Sequence, residues 1–75
     1  MNARVEPRTA RALAWIADIE AHARGCEGRA AVYEDDAKRY PKAHRRYHEF
    51  KALAAEQRRK AAEAWQWAER ERSYL

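Results

Sequence analysis

The run from Tyr40 to Leu75 constrains the fold more than any other feature of the chain. After Pro41 it contains no proline or glycine, and the strong helix formers Ala, Glu, Lys, Arg and Gln fill most of its positions. Its apolar residues recur every three or four positions, which is the spacing of one face of an α-helix. The sequence therefore predicts a long C-terminal helix over residues 41–74.

A shorter helical region is predicted upstream of this run. Pro7 suits the first position of a helix, where its missing N–H has no partner to lose. Ile16 and Ile19 continue a spacing of three or four, and Gly25 stands where a helix cap is expected. We therefore predict a frayed end over residues 1–6, a helix over 7–24, a turn over 25–28 and a helix over 29–40.

Pro41 lies within a regular spacing of apolar residues, every three or four positions, that continues from one predicted helix into the next. Proline in a helix interior removes a hydrogen bond and kinks or breaks the helix. No loop-forming residues surround Pro41, so we favour a kink, with a break as the alternative. The predicted fold class is all-α, in one domain: a helical hairpin with a short first helix and a long C-terminal helix, kinked or broken at Pro41, giving two or three helices.

The predicted turn also fixes which residues face each other. Counting outward from residues 25–28 pairs Ile19 with Tyr33 and Ile16 with Ala37. At about 1.5 Å per residue, the first helix is roughly 27 Å long and an unbroken second helix roughly 70 Å. The C-terminal half then has no cover within the chain, unless the helix breaks at Pro41 and folds back.

The supply of large apolar side chains is small for a chain of this size. Only 8 of the 75 residues are Leu, Ile, Val or Phe, and association between chains relieves such a shortage. We therefore expect the C-terminal helix to bind a second copy, forming a homodimer, or a larger protein, with burial inside the chain as the alternative. Trp67 points away from this surface and is expected to be exposed. The expected interface residues are Phe50, Leu53, Ala54, Ala61, Ala64, Trp65, Ala68 and Leu75.

A basic cluster interleaved with Tyr40 and Tyr47 suggests a different class of function. The chain has a net charge of +4 from 16 basic and 12 acidic residues. Basic side chains contact phosphates and aromatic rings stack on bases, so nucleic-acid binding is the alternative function. On a helical wheel the basic residues point away from the tyrosines, which favours an ordinary solvated helix face. The candidate nucleic-acid contacts are Lys38, Arg39, Lys42, Arg45, Arg46 and Lys51.

Residues for catalysis or metal binding are few. The chain has one serine, one threonine and no glycine-rich loop, so a catalytic triad or phosphate loop cannot be assembled. His44 with His48, and His22 with Cys26, have the i,i+4 spacing of metal ligands. In the predicted hairpin about 27 Å of helix separates Cys26 from His44, which prevents a shared four-ligand site. We expect a non-enzymatic protein with no metal and no cofactor.

Cysteine content and hydropathy predict the compartment. Cys26 is the only cysteine, so no internal disulfide can form and a reducing compartment is expected. The N-terminus lacks the apolar core of a signal peptide, and the apolar run 12–17 is far shorter than the roughly 20 residues of a membrane span. We expect a cytoplasmic protein with no membrane partner. Arginine outnumbers lysine twelve to four, a bias typical of a high-GC genome such as that of an actinobacterium or its phage.

Overall fold

Two long antiparallel helices joined by a seven-residue loop make up the protein. The computed structural model describes residues 6–75, and the frayed end predicted over residues 1–6 falls almost wholly outside this range. Helix α1 spans Pro7–Ala37 and helix α2 spans Arg45–Ser73, in a rod of 63 × 18 × 13 Å. The predicted all-α helical hairpin is confirmed. Within the described residues, neither helix is apolar enough over a sufficient length to span a membrane.

Pro41 ends α1 and creates the loop. A proline ring clashes with the carbonyl four residues earlier, and that carbonyl belongs to Ala37, the last residue of α1. The N–H of His44 then donates to the Pro41 carbonyl at 2.8 Å. His44 has an extended backbone, and its Nδ1 accepts from the N–H of Arg46 at 3.0 Å, which caps α2. Pro41 therefore breaks the helix, and the kink that we favoured is wrong.

The turn predicted over residues 25–28 is also wrong. Helix α1 passes through both Gly25 and Gly28, and neither has a positive φ. The helices predicted over 7–24 and 29–40 are therefore one helix. The physical reason is packing: Cys26 and Ala30 are fully buried on the side of α1 that faces α2. Burial of this face outweighs the cost of about 1 kcal/mol for each glycine in a helix.

The contact between the helices is built mainly from alanines. The buried residues recur every three, four or seven positions, the spacing of a two-stranded coiled coil, and alanine there allows the helix axes to approach closely. We call the α2 half of this contact the alanine seam; it consists of Ala54, Ala61, Ala64 and Ala68. The buried residues of α1 are Ile16, Ile19, Ala23, Cys26, Ala30 and Ala37.

The observed register replaces the predicted one. Ile16 and Ile19 pack with Ala64 and Ala68 in one buried cluster, so the predicted pairings of Ile16 with Ala37 and of Ile19 with Tyr33 are wrong. Both predicted pairings were counted from the misplaced turn. The two helices have 31 and 29 residues, so they are nearly equal in length and each covers most of the other. The mismatch of lengths expected from the sequence does not exist.

Aromatic side chains close the loop end of the hairpin. Phe50 of α2 stacks on Tyr33 of α1 with ring centroids 6.3 Å apart, and on Tyr40 of the loop at 6.0 Å. The ring of Tyr40 also lies 4.9 Å from that of His44. These contacts tie the loop to both helices and fix the positions of the residues around it.

Replacing a helical glycine tests the course of α1. A Cβ added at Gly28 meets no atom within 4 Å, so Gly28→Ala removes only the entropic cost of glycine. We expect it to raise the free energy of unfolding by roughly 0.5–1 kcal/mol. Ala31→Gly, at another exposed position of α1, is the matched control and should lower it by a similar amount. Denaturant titrations measure both; a loss of stability in Gly28→Ala would contradict a continuous helix.

Truncating the largest core side chain tests the packing between the helices. Ile16 is 1% exposed, and Ile16→Ala should lower the free energy of unfolding by about 2–5 kcal/mol. Leu13 is 43% exposed on the same helix, so Leu13→Ala should cost much less. Equal losses in the two variants would show that Ile16 does not lie in the core.

Candidate interaction surfaces

One edge of the hairpin is closed by contacts between oppositely charged side chains. Glu20, Glu27 and Glu34 of α1 are seven residues apart, and they face Arg58, Trp65 and Arg72 of α2, which are also seven apart. We call these six residues the charged edge. Arg72 Nη1 donates to Glu20 Oε2 at 2.8 Å. Arg58 donates to both carboxylate oxygens of Glu34, at 2.7 and 3.2 Å. This forked geometry fixes the register as well as adding attraction.

The same contacts shift the acidity of the glutamates. Hydrogen bonds from Arg72 hold the pKa of Glu20 below its ordinary value of 4.5, with smaller Coulomb contributions from Arg72 and Arg24. Hydrogen bonds from Arg58 lower the pKa of Glu34 in the same way, helped by the charges of Arg58, Lys51 and Lys38. Partial desolvation opposes both shifts. Each carboxylate is therefore held in its charged form by the opposite helix.

Trp65 belongs to the charged edge and not to a free interface. Its Nε1 donates to Glu27 Oε2 at 3.2 Å, and the guanidinium carbon of Arg24 lies 5.5 Å from the centre of its ring. Trp65 also packs against the buried cluster around Ile16. Its indole is engaged within the chain, so the structure does not leave it free as the interface anchor expected from the sequence.

The remaining expected interface residues divide into covered and exposed groups. The alanine seam is 1–4% exposed because α1 covers it, which is the alternative that the sequence left open. Phe50 is half-buried in the aromatic contacts at the loop end. Leu53 and Leu75 are exposed, at 41% and 55%. Of the eight residues, only these two are available to a partner without opening the hairpin.

The opposite edge carries a pair of exposed tryptophans. Trp15 of α1 and Trp67 of α2 meet edge to face, with ring centroids 5.3 Å apart and planes at 78°. Despite this contact they remain 46% and 41% exposed, and the predicted exposure of Trp67 is confirmed. The sequence analysis does not pair Trp15 with Trp67, because a turn at residues 25–28 does not place these two residues opposite each other.

Charged side chains of both signs surround the tryptophan pair. Two shallow cavities of about 240 and 340 Å³ lie on either side of Trp67. Within residues 6–75, neither Asp18 nor Arg70 makes an ion pair, whereas Glu63 pairs with Arg59 at 2.6 Å. We call this surface the tryptophan face; it consists of Trp15, Asp18, His22, Lys60, Glu63, Trp67 and Arg70.

The candidate nucleic-acid contacts all lie at the loop end of the hairpin. Lys38, Arg39 and Lys42 belong to the loop, and the other three lie in the first two turns of α2. The arginines are engaged locally: Arg39 with Asp36 at 4.0 Å, Arg45 with Glu49 at 3.2 Å, and Arg46 with the Tyr40 hydroxyl at 3.3 Å. The structure thus brings the six residues together at one tip of the rod.

The histidine pairs considered as metal ligands have other partners. His22 Nε2 lies 3.7 Å from the sulfur of Cys26, which also accepts from Arg29 Nη2 at 3.4 Å and is fully buried. His44 caps α2, and the ring of His48 contacts Tyr47. Among residues 6–75, no group of three or more His, Cys, Asp and Glu side chains is placed to hold a metal ion.

The pH dependence of stability tests the charged edge. The pKa of Glu34 is lower in the folded chain than its unfolded value near 4.5. The contribution of Glu34 to the free energy of unfolding is therefore complete at pH values above the unfolded pKa and is lost as the pH falls through the folded pKa. Glu34→Gln should therefore be less stable than the wild type at neutral pH, and the difference should vanish in acid. Thermal melts across the acid range measure this.

Glu49→Gln is the matched control, because Glu49 pairs only with Arg45 on its own helix. It should change the stability less than Glu34→Gln at neutral pH. A difference between Glu34→Gln and the wild type that persists unchanged into acid would show that the carboxylate charge does not stabilise the hairpin.

Comparisons with known proteins add no family to these observations. The chain matches no protein-family model, no curated protein and no solved structure. The function of the protein is therefore inferred from three of its surfaces. The side chains of the charged edge are paired within the chain, whereas those of the tryptophan face and the loop end are only partly paired.

Proposed function

We propose that the protein is a non-enzymatic helical interaction module that binds a second copy of itself through the tryptophan face. The observation that carries this proposal is the exposed Trp15–Trp67 pair, which leaves two large indoles about half in water. Tryptophan is enriched among the residues that dominate the energetics of protein interfaces. The proposal keeps α2 as a partner-binding helix, but through Trp67 and Leu53 instead of the alanine seam.

Other exposed apolar residues lie on the same side of the hairpin. Leu53, Trp67 and Tyr74 are separated by multiples of seven residues, so they follow one line along α2. Val32 lies two heptads after Asp18 and continues the face along α1. Only Leu13 and Leu75 among the large exposed apolar residues of the described chain fall elsewhere. An apolar line with a charged rim is typical of an interaction surface.

The thinness of the core favours association. Within the described chain the buried side chains are two isoleucines, one cysteine and seven alanines. Alanine burial removes little apolar area from water, at about 25 cal/mol per Å². Small domains with such cores are commonly stabilised by oligomerisation. Packing two tryptophan faces together produces a four-helix arrangement and adds four of the six tryptophans of the pair to its core.

The charges around the tryptophans favour a second copy over an unrelated partner. A two-fold interface is self-complementary, so a charged patch can pair with its own copy when it carries both signs of charge. The tryptophan face does, with Asp18 and Glu63 beside Lys60 and Arg70. Asp18 and Arg70, unpaired within the described chain, are on different helices, and packing α1 of one copy against α2 of the other brings them together.

We further propose that the protein works in the cytoplasm. Cys26 is buried and forms no disulfide within the described residues, and a free thiol is typical of a reducing compartment. An actinobacterial or phage origin stays a prediction from the arginine-rich composition alone.

A charge placed on the tryptophan face tests self-association. Trp67→Glu should shift the protein from dimer to monomer, because two carboxylates are then buried in an apolar contact. Leu13→Glu is the matched control: Leu13 is 43% exposed against 41% for Trp67, but lies off the tryptophan face. It should leave the dimer unchanged. Light scattering across a range of concentrations measures the mass, and circular dichroism checks that both variants stay helical.

Two results would contradict the proposal. A wild-type protein that is monomeric at high micromolar concentration would show that the tryptophan face does not bind a second copy. A dimer that Leu13→Glu disrupts and Trp67→Glu does not would place the interface elsewhere.

A further inference from the structure

The positive charge of the protein is concentrated at the loop end. Residues 38–51 contain six basic side chains and one acidic side chain, Glu49. The rest of the chain has ten basic and eleven acidic residues, from totals of 16 and 12. The body of the rod is therefore close to neutral, and its loop end carries a net charge of +5. A charge confined to one tip creates a local potential that an evenly spread charge does not.

A cleft of about 480 Å³ opens at this tip, between the end of α1 and the start of α2. Three of the four lysines of the chain line it: Lys38, Lys42 and Lys51. Glu34, Tyr40 and Tyr47 complete the polar lining. Because α1, the loop and α2 each contribute to this lining, the cleft exists only after the chain has folded back at Pro41.

The lysines differ from the neighbouring arginines in how far nearby side chains pair with their positive charges. Among residues 6–75, Lys42 and Lys51 make no ion pair, and Lys38 makes one 3.6 Å contact with Asp35 in which both side chains are more than three-quarters exposed. Such a contact contributes little. The one carboxylate in the lining, Glu34, has both oxygens occupied by Arg58. Within the described residues, Lys42 and Lys51 therefore have no ion-pair partner, and Asp35 and Glu34 compensate the positive charge around the cleft only in part.

We propose that this cleft binds phosphate groups. Lysine is a compact point charge that suits phosphate, and three lysines converging on one space favour a ligand with several negative charges over a single carboxylate. The hydroxyl of Tyr47 supplies a neutral donor on the α2 side. The ligand is a phosphodiester chain of nucleic acid or a free polyphosphate, because both present the same oxygens to the lysines.

The test compares two double variants that carry the same change in charge. Lys42→Gln/Lys51→Gln removes two ammoniums from the cleft. The distal variant, Arg8→Gln/Arg59→Gln, removes two positive charges from exposed positions outside both the cleft and the tryptophan face. The probes are a fluorescein-labelled single-stranded DNA oligonucleotide, followed by anisotropy, and inorganic tripolyphosphate, followed by calorimetry. Circular dichroism confirms that each variant is folded, as expected for exposed side chains.

The wild type should bind, and its affinity for DNA should fall with salt at a log–log slope of about −0.7 for each contacted phosphate, or about −2 for three lysines. The cleft variant should bind roughly tenfold or more weakly, with a slope reduced to about −0.7. The distal variant should keep most of the affinity. Loss of DNA binding identifies a nucleic-acid site, and loss of tripolyphosphate binding alone identifies a free polyphosphate site.

Three results would overturn the proposal. The wild type binds neither probe at low salt; the cleft variant binds both probes as the wild type does; or the distal variant loses as much affinity as the cleft variant. The last result would show a general attraction to net charge instead of a site.

Discussion

The inability of proline to continue a helix determines the whole architecture. Pro41 lies near the middle of the sequence between its two helices, so the break it imposes leaves segments of 31 and 29 residues. Two segments of nearly equal length that fold back on each other can bury one stripe each along most of their length. The alanine seam then lies against Ile16 and Ile19 instead of facing a partner, and the close approach of the helices follows from the small size of its side chains.

The same fold makes the two edges of the hairpin chemically different. In an antiparallel pair each edge matches one row of α1 with one row of α2. On the charged edge three glutamates face two arginines and Trp65, and the hydrogen bonds of 2.7–3.2 Å between them pair these side chains within the chain. On the other edge the matching rows meet at Trp15 and Trp67, which contact each other but stay about half exposed. The unsatisfied surface is thus confined to one edge and the loop end.

Much of the fold follows from the sequence, and the errors have identifiable causes. The apolar spacing predicts an all-α hairpin and the exposure of Trp67, both of which are confirmed. The turn was misplaced because Gly25 and Gly28 resemble a turn locally, while the loop 38–44 contains no glycine, serine or asparagine. The decisive signal was the unbroken spacing of Ile19, Ala23, Cys26 and Ala30, which continues one helix through both glycines.

The candidate surfaces were harder to predict because they depend on the register of the hairpin, that is, on which residues of α1 and α2 lie opposite each other. With the turn at residues 25–28, Trp15 and Trp67 are not neighbours, and the basic residues at 38–51 lie in the middle of a rod. With the loop at Pro41, the tryptophans meet, and the basic residues converge on one tip. A single error in register therefore changes both candidate sites, although it leaves the fold class unchanged.

The concentration of charge at the loop end also constrains the symmetry of a dimer formed through the tryptophan face. About 35 Å of helix separates Trp15 from Lys38. If the two copies run parallel, their loop ends lie side by side, and two tips of charge +5 repel each other. If the copies run antiparallel about an axis near the tryptophans, the tips lie roughly 70 Å apart, many times the Debye length of about 8 Å at physiological salt. Repulsion between the tips therefore favours the antiparallel dimer, which presents one of the clefts proposed to bind phosphate at each end.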